Sequence, residues 1–233
     1  KWAVSFRPLW KFWKDLIADN LPLLLGAHSN ENRSNLNPVE GFIVLEFETA
    51  RALIRFVEAS LHEMDEVVKG NQVITPAIQT AASFMLSGTV PQLWLEKWEG
   101  PEQIQPWLTQ VVQKTLALAT LVKRVEQGAL LKQPFKMSDL FNPHVFLNAL
   151  KQHTARTLKT PLDDLTCLVG AWPSTKNAAV SSTAVTVQGL LLQGCGFDGD
   201  SLTDLTNDSP SILELPTFQL SWTTTTASAN ELT

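Results

Sequence analysis

The residues able to do chemistry are few and scattered. Four histidines occur, His28, His62, His144 and His153. The last two stand nine apart on one helical pattern, point to opposite faces and cannot chelate one metal. Asp198, Asp200 and Asp204 have the alternate acidic spacing of a calcium loop. The glycine such a loop needs at its sixth place is Thr203 here, and the acidic residue at its twelfth is Ser209, so the stretch reads as a solvated turn. Ser87 and Ser201 have no nucleophile-elbow context, and Cys167 and Cys195 sit in apolar, strand-like surroundings where a thiol is normally inert. No Gly-Lys pair exists, so no P-loop can cradle a nucleotide, and no G-x-G-x-x-G follows a strand pattern. The expectation is a stretch with no catalytic residue, no metal site and no cofactor of its own.

With so little chemistry to position, the strongest signal is architectural. From Phe42 to Lys69, Ile43, Phe47, Ala50, Ile54, Val57, Leu61, Met64 and Val68 recur at threes and fours, while Glu46, Glu48, Arg51, Arg55, Glu58, His62, Glu63 and Glu66 fall off that stripe. This predicts one long amphipathic helix with its stripe in a core. Pro38 and Gly41 punctuate its start; Lys69 puts a cation in its last turn and Gly70 can take the left-handed cap.

Before it, Pro8 to Ala18 reads as a short helix with Phe6, Trp10, Trp13 and Ile17 on one face. Leu21 to Gly26 reads as an apolar tether and Ala27 to Asn37 as an exposed loop. After it, Thr75-Pro76 is an N-cap followed by proline at the first helical position, and Ile78, Ala82, Met85 and Leu86 line a helix that stops at Gly88. Trp94 and Trp98 lie in a proline-punctuated connector, Pro91 to Pro106. They could form a ligand platform, but aromatics pinning an irregular connector onto a helical layer are commoner. Gln105-Pro106 opens a further helix with Leu108, Val111, Val112, Thr115, Leu118, Val122 and Val125 inward. Phe135 to Phe141 is a connector, and Asn142-Pro143 starts a helix running to about Leu158 with Val145, Phe146, Leu147 and Leu150 in its first turns.

At Thr160-Pro161 the period changes. Leu165 to Trp172 and Ala184 to Leu192 read as two antiparallel strands joined by a long hairpin, Pro173 to Thr183. Asp198 to Ser201 and Asp208-Ser209-Pro210 are turn chemistry, and Ile212 to Trp222, interrupted by Pro216, gives one or two edge-type strand pieces. Thr223 to Thr233 is low in complexity and expected to be loose. The order, helices first and strands after, predicts an α+β fold: a layer of long amphipathic helices followed by a small antiparallel sheet.

Composition bounds the partners. A 233-residue chain with 44% hydrophobic residues can bury a core, and a formal net charge of -5 without a lysine or arginine cluster excludes a basic patch for nucleic acid or an anionic membrane. No apolar run approaches the roughly 20 residues of a membrane span. Two cysteines and the lack of a signal-like apolar start give the expectation of a cytosolic chain, and the plain ends hint at a piece of something longer.

An ordered series of motifs carries more than any single one. The helix from Ile43 to Lys69-Gly70 is followed by Gly88-Thr89-Val90-Pro91-x-x-Trp94, then by Pro106-Trp107-Leu108 and Phe141-Asn142-Pro143-x-x-Phe146-Leu147. Ala155-Arg156, Pro161-Leu162-Asp163-x-Leu165, Val187-x-Gly189-Leu190-Leu191-Leu192-Gln193-Gly194 and Phe197-Asp198 complete the series. Over most of residues 38 to 218 the sequence resembles the C-terminal region of a dynein heavy chain. Lys97 to Glu102, Phe146 to Leu150 and Gly194-Cys195-x-Phe197-Asp198-Gly199 resemble most the cytoplasmic dynein 2 branch of that family, the branch of retrograde intraflagellar transport.

The resemblance implies an incomplete β-barrel behind the helical layer, lying on a ring of six AAA+ modules. Residues 1-40 would be the end of the sixth module's lid and a connector, 41-160 the helical part of the C-terminal domain and 161-233 its barrel part. It implies a mechanical role, tuning force and processivity of a minus-end-directed microtubule motor whose ATP and Mg sites lie upstream. Implied partners are the AAA+ modules of the same heavy chain, and for the parent motor microtubules, dynein 2 intermediate and light chains and a second heavy chain. Implied locations are the cytoplasm, the cytoskeleton and the cilium with its axoneme. Ile43, Phe47, Ile54, Val57, Leu61, Trp94, Trp98, Trp107, Phe146 and Leu150 are expected to form the core and the layer packed on the ring. Two departures stand out. Lys136 to Phe141 is more polar than the family's aromatic-rich run, and the strand expected after Trp222 gives way to Thr223-Thr224-Thr225-Thr226, which would leave the barrel open. A free-standing helical scaffold that holds a partner helix in a groove is the competing expectation, and it requires a partly exposed stripe.

Overall fold

The computed structural model describes residues 2–26, 35–171, 183–188, 191–193, 195–198, 201–204, 212–214 and 217–224. Seven α-helices are described: α1 (Trp2–Ile17), α2 (Leu21–Leu25), α3 (Pro38–Lys69), α4 (Pro76–Leu86), α5 (Gln92–Leu95), α6 (Ile104–Glu126) and α7 (Pro143–Leu158). Eight strands are described: β1 (Phe135–Lys136), β2 (Leu165–Ala171), β3 (Ala184–Gln188), β4 (Leu191–Gln193), β5 (Cys195–Asp198), β6 (Ser201–Asp204), β7 (Ile212–Glu214) and β8 (Phe218–Thr224). The fold is α+β, with helices before strands. Two compact units divide the chain, one of Lys1–Arg33 and Val44–Thr120, the other of Ser34–Ile43 and Leu121–Thr233.

α3 is a single helix of 32 residues, about 48 Å long at 1.5 Å per residue. Its start is fixed by a reciprocal cap. The Asn37 side-chain oxygen accepts from the N–H groups of Val39 and Glu40 at 2.9 and 3.0 Å, while the Asn37 N–H donates to the Glu40 carboxylate at 3.0 Å. Its end is a Schellman turn. Gly70 stands at φ 82°, its N–H donates to Val67 O, and the Asn71 N–H donates to Glu66 O. Ile43, Phe47, Ala50, Ile54, Val57, Leu61 and Met64 are all buried, and Val68 in the last turn is half-buried.

In the first unit the expectations for α4 hold at the cap, where the Thr75 hydroxyl accepts from Ile78 N–H and Pro76 opens the helix. Ile78, Ala82 and Met85 are buried, but Leu86 is exposed. Two corrections belong here. α1 begins at Trp2 and carries Pro8 inside it, so proline does not mark its start. Leu21 to Gly26 is no tether: Pro22 in the first turn presets a helical φ, α2 forms, and Leu24 is buried.

In the second unit α7 starts at Pro143 and buries Phe146, Ala149, Leu150 and Thr154; Val145 is exposed. Four strands form a sheet in the order β1-β3-β8-β2, while β4 pairs with β7 and β5 with β6 in separate two-stranded ladders. All pairings are antiparallel except β1 with β3. Among the described residues the sheet does not close on itself, and the strand region is an incomplete barrel.

The expected hairpin between β2 and β3 is not formed. β8 lies between them, with Leu165 opposite Thr224 and Val185 opposite Leu220. The segment expected at an edge is therefore central. Thr223 and Thr224 continue β8 instead of ending it, as β-branched residues on a pleated surface can. The turns at 199–200 and 208–210, the hairpin loop at 173–182 and the tail from 225 onward lie outside the described residues.

Candidate functional site

His62 and His144 are exposed, His153 is half-buried, and His28 lies outside the described residues. No group of three His, Cys, Asp or Glu residues that could hold a metal occurs among the described residues. Cys167 is on an exposed position of β2, and partial burial of its thiol pushes its pKa up, which disfavours the thiolate. The Ser87 hydroxyl donates to Phe84 O and lies 2.9 Å from the Thr89 hydroxyl, a turn-closing role. A shallow depression lined by Gln152, Ala155, Arg156, Thr160 and Leu162 is open to solvent.

Of the residues expected to form the core, Ile43, Ile54, Val57, Leu61, Trp107, Phe146 and Leu150 are fully buried, Phe47 and Trp94 nearly so, and Trp98 is half-buried. Three of them meet. In the first unit the Trp94 and Trp107 rings stack at 5.5 Å, and Trp98 lies 5.7 Å from Trp107. The backbone makes room for this cluster. An isolated bridge joins Thr89 to Gln103, Val90 N–H donates to Glu102 O, and Ile104 N–H donates to Gly88 O, so the connector folds back on itself. The Trp107 indole N–H donates to Trp98 O at 3.3 Å. At Gly100 a Cβ would sit 2.6 Å from the Trp98 ring, so only glycine fits without moving the indole. The tryptophans fill each other's space, which is the pinning arrangement and not a platform. Lys114 stands 5.7 Å over Trp98, capping the cluster with a cation, and Lys97 stands 4.8 Å over the Phe56 ring of α3. In the second unit Phe42 and Phe146 meet edge-on at 6.0 Å, and Lys151 stands 5.0 Å over Trp222.

A second constellation lies where the sequence pattern predicts solvent. Arg51 and Glu46, both off the apolar stripe, are buried at 2% and 5% exposure. Arg51 Nη2 donates to the Gly26 carbonyl just past α2, and Arg55 Nη2 donates to the same oxygen at 2.8 Å. Glu48 stands 3.7 Å from Arg51 Nη1, and the Arg51 guanidinium lies 5.6 Å from the Phe47 ring. Burial lowers the Arg51 pKa, Arg55 lowers it further and Glu48 raises it. One turn past Arg55 along α3, Glu58 accepts from the Trp13 indole N–H and pairs with the Lys14 ammonium, both from α1. The signal that could have found this strip is its spacing: Arg51, Arg55 and Glu58 at i, i+4 and i+7 form a stripe of their own.

The described residues thus hold a filled aromatic cluster and a capped 32-residue helix, with an open strand region in the second unit. The family model for the C-terminal domain of the dynein heavy chain matches residues 7–232. The chain belongs to this family, the C-terminal domains of dynein heavy chains. It is similar to cytoplasmic dynein 2 heavy chain 1 of Tripneustes gratilla, 34% identical over 223 residues, and of Homo sapiens, 35% identical over 218 residues. These matches cover 95% and 93% of this chain and 5% of each relative. Dynein axonemal heavy chain 8 of Mus musculus is 24% identical over 191 residues, covering 80% of this chain and 4% of that protein.

Proposed function

We propose that the chain is the non-catalytic C-terminal domain of a cytoplasmic dynein 2-type heavy chain, packed on the AAA+ ring of an ATP-driven, minus-end-directed microtubule motor for retrograde intraflagellar transport. The observation that carries this reading is the similarity to cytoplasmic dynein 2 heavy chain 1 proteins over about 95% of the chain, well above that to the axonemal heavy chain. The domain's work is mechanical, tuning force and processivity. ATP and Mg are bound upstream in the parent, which acts as a heavy-chain dimer with intermediate and light chains in the cytoplasm and along the ciliary axoneme. Within the chain, 1-40 is the end of the sixth module's lid with its connector, 41-160 the helical part and 161-233 the barrel part.

The buried stripe of α3 supports this reading over a free-standing groove, which needs the stripe exposed. The test is optical-trap motility of the full heavy chain with and without residues 41–233. ATP turnover should persist while stall force and run length change. Unaltered stepping, or ATP hydrolysis by the 233-residue chain alone, would sink the proposal.

A further inference from the structure

The polar strip on α3 has a geometry that core packing does not require. Two guanidinium groups converge on one backbone carbonyl, that of Gly26. The Arg51 side chain is only 2% exposed, and its Nε and Nη1 have no hydrogen-bond acceptor among the described residues. Its burial as a cation therefore leans on Gly26 O, on Glu48 and on the Phe47 ring. Two turns along, about 10.5 Å away at 1.5 Å per residue, one half-buried carboxylate takes both the Trp13 indole and the Lys14 ammonium. Trp13 is itself fully buried. Both contacts bring the same N-terminal segment, α1 to Gly26, onto the same face of the same helix, within one compact unit.

We infer that Arg51, Arg55 and Glu58 form a mechanical joint, a two-point latch that makes the segment from α1 to Gly26 move with α3 as one body. Arg51 is the conditional element. When the Gly26 carbonyl leaves, a buried cation loses its hydrogen-bond acceptor, so separation at this point is strongly disfavoured until the whole segment lifts. Glu58 sets the register, because an indole N–H and an ammonium can share one carboxylate only with α1 at one height along α3. That the joint carries strain from upstream modules into α3 rests on the motor reading above; the joint itself rests on the first unit alone.

The test is amide hydrogen exchange by NMR on the 233-residue protein, comparing wild type with Arg51→Met, Glu58→Leu and the double variant. In Arg51→Met the amides of Leu24, Leu25 and Gly26 should exchange roughly tenfold faster, the size expected for losing a hydrogen bond to a charged group. In Glu58→Leu the acceleration should fall on Trp13 and Ile17, and in the double variant on both. Ile54 and Val57 amides in α3 should stay within about twofold of wild type, as expected of local opening. Unchanged exchange across residues 2–26 in the double variant overturns the joint, and so does equal acceleration in α3, which would make the strip ordinary core. Should Arg51→Met fail to fold, Arg51→Lys keeps a cation without the planar fork. It should still release Leu24 to Gly26, and wild-type exchange there would equally overturn the inference.

Discussion

Two faces of α3 hold their neighbours by different physics. The apolar face, from Ile43 to Met64, buries seven side chains whose attraction is proportional to area and indifferent to direction. Each of the larger ones contributes on the order of 1.5–3 kcal/mol when fully buried, and Ala50 less; any well-packed apolar surface would serve. The polar face offers two arginines and one glutamate, which accept only partners at set positions: the Gly26 carbonyl, the Trp13 indole and the Lys14 ammonium. Its net contribution is smaller, because the buried Arg51 must first be stripped of water, while the exposed Arg55 and half-buried Glu58 interact in a more screened setting. The apolar face therefore sets how stable the layer is, and the polar face sets which register it takes.

That division of labour can be broken most severely on the apolar side. Leu61→Ala or Ile54→Ala leaves a cavity in a fully buried position and should cost about 2–5 kcal/mol in denaturant unfolding. Melting unchanged from wild type would mean the stripe is not the core. Trp107→Ala should fall in the same range, about 3–5 kcal/mol, because Trp94 and Trp98 lose their common neighbour. A loss confined to that connector's local stability would separate the aromatic cluster from the stripe.

Smaller effects sharpen the picture at the ends of α3. Asn37→Ala removes an oxygen that accepts two N–H groups and should cost roughly 0.5–2 kcal/mol. Asn37→Asp should recover most of it, and failure of that rescue would show that the cap is not what fixes the start.

The smallest effect is electrostatic. Glu66 is held below the ordinary carboxylate range first by the hydrogen bond from the Asn71 side chain and then by that from Lys69. A carboxylate depressed in the fold contributes above its unfolded pKa, and the contribution is lost as pH falls through the folded value. In Asn71→Ala the Glu66 titration followed by NMR should move up towards the ordinary value, with little change in melting because the pair is exposed. An unmoved titration would assign the shift to Lys69 alone.

Legibility in the sequence follows the same line between local and non-local physics. The α3 stripe, the Thr75-Pro76 cap and the inward face of α6 repeat within a few residues, and all seven residues named for that face, Leu108 to Val125, are buried. The partner of β2 lies about fifty residues away in β8, and alternation within a strand says nothing about which strand lies beside it. The same limit explains Arg51: side-chain type predicts solvent, and only the arrival of a carbonyl from the end of α2 makes burial tolerable. α2 escapes a sequence reading because one turn of leucines around Pro22 has too few residues to show a period. Leu86, placed inward by its spacing and found exposed, sits in the last turn of α4, where the apolar face runs out.

The most direct measurement is a cryo-EM map of the parent heavy chain in which residues 2–224 can be traced. The expected map shows residues 38–69 as one unbroken helix with its stripe buried, the domain seated on the AAA+ ring, and the Gly26 carbonyl still within hydrogen-bond reach of Arg51 and Arg55. A domain detached from the ring would contradict the motor reading, and a ring-bound domain in which α3 is broken and Gly26 has left the two arginines would contradict the joint.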